Sequence, residues 1–353
     1  MNTIEILNEN DLCTMDFNSF KEMVEYFLDD KNPPGITYFK KITGFTNKIL
    51  INENPEIRPI DDNGLSGGLV NITKYQKTVI LPDLHARRPF FKTFLNYNID
   101  NEDTILDLLE KNELAFICLG DGVHSEGSVN GFRWLKAFEE YKTNYDKSSS
   151  MDQEIADSFN LMIAIMCLKI RYPDNFHFIK GNHENIYNET GNGNYAFAKY
   201  AIEGDMVLKY FRKFYDEEML EAYSSFEKNI PLFVIGKNFL ASHSEPEYPF
   251  TREEIINYRD NPDLIESLTW TDNYSSVKGT VDKLISYFMD KEEPGNEYYF
   301  GGHRPIKDKY NRINNDRYVQ IHNPQMQIAV VINQDEPIDL DNNVIVVPKK
   351  AQA

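Results

Sequence analysis

Residues 167–184 read Cys167-Leu-Lys-Ile-Arg-Tyr-Pro-Asp-Asn-Phe-His-Phe-Ile-Lys-Gly-Asn-His-Glu184, and the architecture follows from this stretch outward. Its first residues close an apolar helical pattern over Ser158–Arg171, which Pro173 stops. Phe176 to Ile179 then has the aromatic and β-branched character of a short buried strand. That strand runs directly into Gly181-Asn182-His183-Glu184, so an amide, an imidazole and a carboxylate leave a rigid element side by side. Strand ends of this kind are where scaffolds place functional groups.

Other strands end in the same way. One gives Val-Ile-Leu-Pro-Asp83-Leu-His85, and a second gives Phe-Ile-Cys-Leu-Gly120-Asp121-Gly122. A hairpin, Leu232–Ile235 and Phe239–Ser242 around Gly236-Lys237-Asn238, ends in His243, and a later strand ends Gly302-His303-Arg304. Of the seven histidines, four (His85, His183, His243 and His303) stand at such positions. A lone histidine at a strand end is usually structural, but several joined to Asp and Asn in a repeated context point to a metal site. Carboxylate, imidazole and amide oxygen together suit Mn, Fe or Zn better than Ca or a thiolate-bound metal.

Helical patterns separate the early strands, at Pro89–Tyr97, Gly131–Tyr141, Ser158–Arg171 and Tyr195–Phe214, and strands crowd toward the end at Tyr318–Ile321 and Gln327–Ile332. This order predicts a mixed α/β sandwich rather than a pure doubly wound sheet. Asp16–Asp30 carries apolar residues at helical spacing, Asn52–Gly68 reads as loop, and Tyr145–Gln153, with three consecutive serines, reads as an exposed insertion. After Gln334 the chain is acidic and then offers Val344–Pro348 as one more strand or an arm. The expected organisation is an N-terminal extension (1–75) packed on a catalytic domain (76–333), with a C-terminal tail (334–353).

The 353 residues carry 37 Lys+Arg against 56 Asp+Glu, a net charge of −19, with 41% hydrophobic residues. That is a folded composition whose charge argues against nucleic acid or an anionic membrane as partner. Cys13, Cys118 and Cys167 are odd in number and widely spaced, which fits free thiols in a reducing compartment. The start, Met1 to Cys13, lacks the basic and apolar regions of a signal peptide, and Phe159–Ile170 is too short to span a bilayer. The expectation is a cytoplasmic protein.

The order Asp-x-His, Gly-Asp, Gly-Asn-His-Glu, His, Gly-His resembles that of the calcineurin-like metallophosphoesterases, and most closely the serine/threonine phosphoprotein phosphatases among them. Residues 167–184 are similar to the family's segment nearly residue for residue, and Leu268-Thr-Trp270-Thr-Asp272 resembles its Leu-Trp-Ser-Asp segment. The likeness runs from Lys77 to Asn333. It implies an α/β (α+β) fold of two facing β-sheets flanked by helices, with two divalent metal ions, Mn or Fe/Zn, at one edge. Asp83 and His85 would hold the first metal, Asp121 would bridge, and Asn182, His243 and His303 would complete the second. The implied reaction is hydrolysis of a phosphomonoester, of a phosphorylated protein or small molecule, by in-line attack of a metal-bridging hydroxide. His183 would be the general acid, and Glu184 a buried residue that fixes the loop. A phosphodiesterase, a nucleotide pyrophosphohydrolase, or a scaffold that kept its metals and lost turnover are the alternatives.

Departures from the family pattern mark where chemistry has shifted. Pro82 precedes Asp83 and Ala86 follows His85, where the family has glycines. The second motif reads Gly120-Asp-Gly-Val-His124-Ser-Glu-Gly127, with His124 in place of the Asp that orients the general acid and Ser125 in place of a phosphate-binding Arg. By alignment His124 is the orienter; by chemistry Glu126 is, because a carboxylate favours charged imidazole. A family Arg-Gly pair reads Lys278-Gly279, so Lys278 with Arg304 or Arg87 is expected to rebuild the anion clamp. His322, in Gln-Ile-His-Asn-Pro324, follows a late strand near where the family closes its site, and His177 is expected to face a second core or solvent.

Overall fold

A computed structural model describes residues 9–99, 102–290, 295–313 and 317–348. The reading of the first eight residues, and the last five of the tail, lie outside these. Eleven strands occur among the described residues: β1 (Leu69–Asn71), β2 (Lys77–Leu81), β3 (Leu114–Cys118), β4 (Phe176–Phe178), β5 (Phe233–Ile235), β6 (Phe239–Ala241), β7 (Tyr298–Gly301), β8 (Asn311–Ile313), β9 (Tyr318–Gln320), β10 (Ile328–Asn333) and β11 (Val344–Val346). They form two sheets, ordered β11-β10-β2-β3-β4 and β1-β5-β6-β7-β9-β8. The expected hairpin is present as antiparallel β5 and β6, and the tail does add a strand, antiparallel to β10.

Strand alternation builds the layers. In β2 and β3, Ile80, Ala115 and Ile117 point between the sheets, where they share a core with Val234, Ala241, Phe300 and Val319. Val79, Leu81, Phe116 and Cys118 point the other way, into a core made with helices. The second sheet buries Phe233, Leu240, Tyr299 and Tyr318 against helices Pro262–Thr269 and Thr280–Met289. The result is two facing sheets flanked by helices, as the sequence predicts.

The N-terminal helices pack into the same core as the long helix Ser149–Arg171. Phe17–Asp29, capped by the Asp16 side chain on the Ser19 amide, contributes Phe20, Met23, Val24 and Phe27, and Ile36–Leu50 contributes Phe39 and Ile42. The loop after it is pinned from inside. Arg58, fully buried, donates to the carbonyls of Leu50, Ser66, Gly67 and Asn229 and to Glu53, and Glu53 also pairs with Lys169. His177 belongs to this buried cluster, 3.2 Å from Lys169 Nζ, so it faces ion pairs rather than solvent or an apolar core.

Two further expectations need correction. Residues 145–153 are exposed only in part: Asp146, Lys147, Ser149 and Gln153 face solvent, but Tyr145 and Met151 are 2% and 0% exposed, and the long helix already begins at Ser149. Met151 and Ile155 extend its apolar stripe one turn further toward the N-terminus than the serines suggest. The helix expected over 195–214 is formed only from Glu203 to Phe214. Glu203 accepts from the amides of Lys199 and Tyr200 at 2.8 and 2.7 Å, which holds 197–200 as a loop.

The parallel strands β2, β3 and β4 of one sheet and β6, β7 and β9 of the other end at a common edge. Among the described residues, no helix is long and apolar enough to cross a membrane.

Candidate metal centre

Each strand delivers its polar residue through a tight loop. His85, Asp121, His124 and His303 have positive φ of 43°, 50°, 60° and 63°, a costly conformation for non-glycine residues that clusters at functional sites. Ala86 also sits at φ 58°, and its amide donates to Gly122 O at 2.9 Å. Glu184 ties the loops together, accepting from the amides of Asp121, Gly122 and Gly181 at 2.9, 2.8 and 2.7 Å. It is the loop-fixing residue the resemblance implies.

The side chains then converge. Asp83, wholly buried, accepts from the His303 amide at 2.9 Å. A Cβ on Gly302 would fall 1.7 Å from Asp83 Oδ1, so only glycine permits this approach. The Nδ1–H of His85 donates to His124 O at 3.0 Å, which leaves the Nε2 lone pair facing inward. That nitrogen lies 3.9 Å from Asp83 Oδ2, 3.6 Å from Asp121 Oδ2 and 3.6 Å from Glu126 Oε1. His243 repeats the device: Nδ1 donates to Leu119 O at 2.7 Å, and Nε2 meets Asn182 Oδ1 at 2.9 Å and Asp121 Oδ2 at 3.5 Å. His303 Nδ1 is also 2.9 Å from Asn182 Oδ1. Donor atoms gathered at this range, facing one another in a buried pocket, are arranged as a bound cation would need them.

Electrostatics agree. Burial and the neighbouring Asp121 push the Asp83 carboxyl well above the usual range, and burial pushes Asp121 up to about 6. Burial holds the imidazoles of His85 and His243 down at about 4. Protein groups alone therefore leave the acids reluctant to ionise and the imidazoles neutral, and neutral imidazole is the metal-binding form. Among the described residues, three donor sets have atoms within 4.8 Å of one another: Asp83–His85–His322, His85–Asp121–His183 and Asp83–Asp121–His243.

A sequence profile described as calcineurin-like phosphoesterase matches residues 77–328. The chain belongs to the calcineurin-like phosphoesterase family. Members bind divalent metals, and the donor sets above are this member's candidate ligands. Its fold is similar to a solved protein serine/threonine phosphatase from Saccharomyces cerevisiae with similarity to human phosphatase PP5, at 13% identity and TM-score 0.55, over 93% of this chain and 95% of that one. A cold-active protein-tyrosine phosphatase of a psychrophilic Shewanella aligns at 13% identity and TM-score 0.40, over 80% of this chain and 82% of that one. No curated protein sequence matches.

Around the phosphoesterase centre, the altered second motif resolves into separate contacts. His124 Nδ1 is 3.0 Å from His183 Nδ1, so His124, not Glu126, partners that ring. Glu126 turns instead to His322 Nε2, at 2.7 Å, and toward His85. Ser125, on the cleft wall, donates its hydroxyl to Glu154 at 2.6 Å and accepts a bond from Arg133 at 2.9 Å.

Of the residues expected to form an anion clamp, only Arg304 lies in the cleft. Lys278 is exposed and does not line the cleft. Arg87 spends its guanidinium on the carbonyls of Asp83, Leu84, Asn323 and Met326, because its helix start turns it beneath the loop. Arg304 does line the cleft, paired with Asp272. Phe197, Lys199 and Tyr200 form a wall that the sequence reading missed, since it assigned them to a helix. Tyr200 rests on Gly127, where any Cβ would collide with its ring.

Proposed function

We propose that this phosphoesterase is a dinuclear metal-dependent phosphatase acting on phosphomonoesters, carried on a phosphorylated protein or small molecule. The observation that supports it is the placement of Asp121: its Oδ2 lies 3.6 Å from His85 Nε2 and 3.5 Å from His243 Nε2, between two donor sets. Asp83 and His85 would hold one cation, Asn182, His243 and His303 the other, and Asp121 both. Mn, or Fe and Zn, fit these oxygen and imidazole donors. Such a pair supplies Lewis acidity toward a phosphoryl oxygen and lowers the pKa of water.

The chain's own groups do the rest. His183 lines the cleft with Nε2 3.7 Å from Asp121 Oδ2, placed to give a proton to the leaving oxygen. His124 fixes the tilt of that ring through the Nδ1 contact, and Phe197 covers both imidazoles, with centroids 3.9 Å from His183 and 5.3 Å from His124. Arg304 and Lys199 bring positive charge to a cleft of about 70 Å³, where non-bridging phosphate oxygens need it.

Metal analysis of the purified protein, paired with turnover of an aryl phosphate and an aryl phosphodiester, tests the reading. Two metals per chain and monoester hydrolysis are expected. Faster diester hydrolysis would reassign the substrate class, and two metals without turnover of either ester would favour the scaffold.

A further inference from the structure

His322 stands at the end of β9, one strand beyond the last motif that resembles the family's, and its side chain is wholly buried. Its Nε2 lies 2.7 Å from Glu126 Oε1, a hydrogen bond that only Nε2–H can donate to a carboxylate. The tautomer so fixed puts a lone pair on Nδ1. That atom has no hydrogen-bond partner, yet it lies 3.8 Å from Asp83 Oδ2, with the His85 ring 5.3 Å from its own. Buried nitrogens are rarely left this way. A carboxylate on one nitrogen and an open lone pair on the other is the arrangement of a histidine oriented for metal binding.

We propose that His322 is a further protein ligand of the first cation, beside Asp83, His85 and Asp121, and that Glu126 is the positioning residue that sets its tautomer. The inference rests on the dinuclear reading above. It also gives the altered second motif a purpose: Glu126, next to Gly127, offers its carboxylate to His322, while the imidazole of His124 stands beside His183. A third strand of the second sheet thereby joins the centre. The competing arrangement is a protonated His322 acting as a counter-cation between Glu126 and Asp83, which would repel a metal rather than bind it.

Mn²⁺ titration of full-length wild type and His322→Asn, followed by the free-ion electron paramagnetic resonance signal, separates these. Wild type is expected to bind two ions, and the variant to bind one of them at least about tenfold more weakly, with circular dichroism of both metal-free proteins alike. Unchanged or tighter binding in the variant overturns the ligand role and leaves the dinuclear reading standing. Fewer than two ions on wild type removes that reading, and the inference with it. Should the variant fail to fold, crystals of wild type soaked in Zn²⁺ decide the matter. Anomalous density bonded to Nδ1 at about 2.0–2.1 Å is expected, and density beyond bonding reach overturns the proposal.

Discussion

His124 Nδ1 and His183 Nδ1 face each other at 3.0 Å, so one proton serves two imidazoles. A carboxylate in the place of His124 would hold a charged His183 ring; a second imidazole shares a proton without adding the negative charge. His183→Asn is expected to slow alkyl phosphates by about 10²–10⁴-fold and activated aryl phosphates much less, because only the former need a proton on the leaving oxygen. His124→Asp should raise alkyl phosphate turnover by up to about tenfold. Equal losses for both leaving groups in His183→Asn would make that ring structural.

Asp121 separates the two donor sets by less than 4 Å on each side, with its oxygen 3.6 and 3.5 Å from His85 and His243. Asp121→Asn is expected to empty both metal positions and abolish turnover, whereas Asp83→Asn should lose mainly one. Metal content by mass spectrometry after desalting, with circular dichroism as the control for folding, checks both.

The clamp gives a kinetic prediction. Arg304→Ala and Lys199→Ala should each raise KM or lower kcat/KM with both metals retained. A change below about threefold in both, less than about 1 kcal/mol, would remove these cations from phosphate binding.

Glu53 should be the most sensitive structural position outside the centre. Burial drives its carboxyl up, but Lys169, Arg58 and His177 overrule this and hold it at about 2, below its ordinary 4.5. Its contribution is therefore full above about pH 4.5 and is lost as pH falls toward 2. Glu53→Gln leaves two buried cations uncompensated and should cost about 3–5 kcal/mol near pH 7. Urea denaturation at pH 7 and pH 3 is expected to show the gap to wild type narrowing in acid.

Ala86 occupies a left-handed conformation that the family fills with glycine. Ala86→Gly is expected to add up to about 1 kcal/mol of stability, read as a higher Tm, since the relief of strain exceeds glycine's entropic cost.

Much of this molecule is written locally. The strand ends carry Asp83, His85, Asp121, Asn182, His183, His243 and His303, and short apolar runs ending in polar residues are visible without any knowledge of pairing. What escaped depends on contacts between distant segments. Residues 197–200 have helical composition, but the Asn188 side chain, in the loop after β4, takes the Phe197 amide while Glu203 takes those of Lys199 and Tyr200, and together they hold this stretch as a cleft wall. Arg87 looks like a clamp residue until the carbonyls of Asn323 and Met326, more than two hundred positions away, claim it. His322 could be flagged by its place after a strand, but its partner Glu126 lies 196 residues earlier. No window of sequence contains both.

The meeting of six strand ends at one edge also bears on how the chain closes. Asp83 and the His303 amide touch across 220 residues, so the centre exists only once the second sheet, made late, has docked on the first. Loop closure of that length is costly and comes after local structure. Before then Asp83 and Asp121 belong to a half-built edge with nothing to offer a cation from the far side. The ion is thus a ligand of the closed chain alone, and its binding free energy is added to the stability of the finished fold. Chelation would act first as a loosening of the two sheets at this edge, and ion supply would set how firmly newly made protein stays shut.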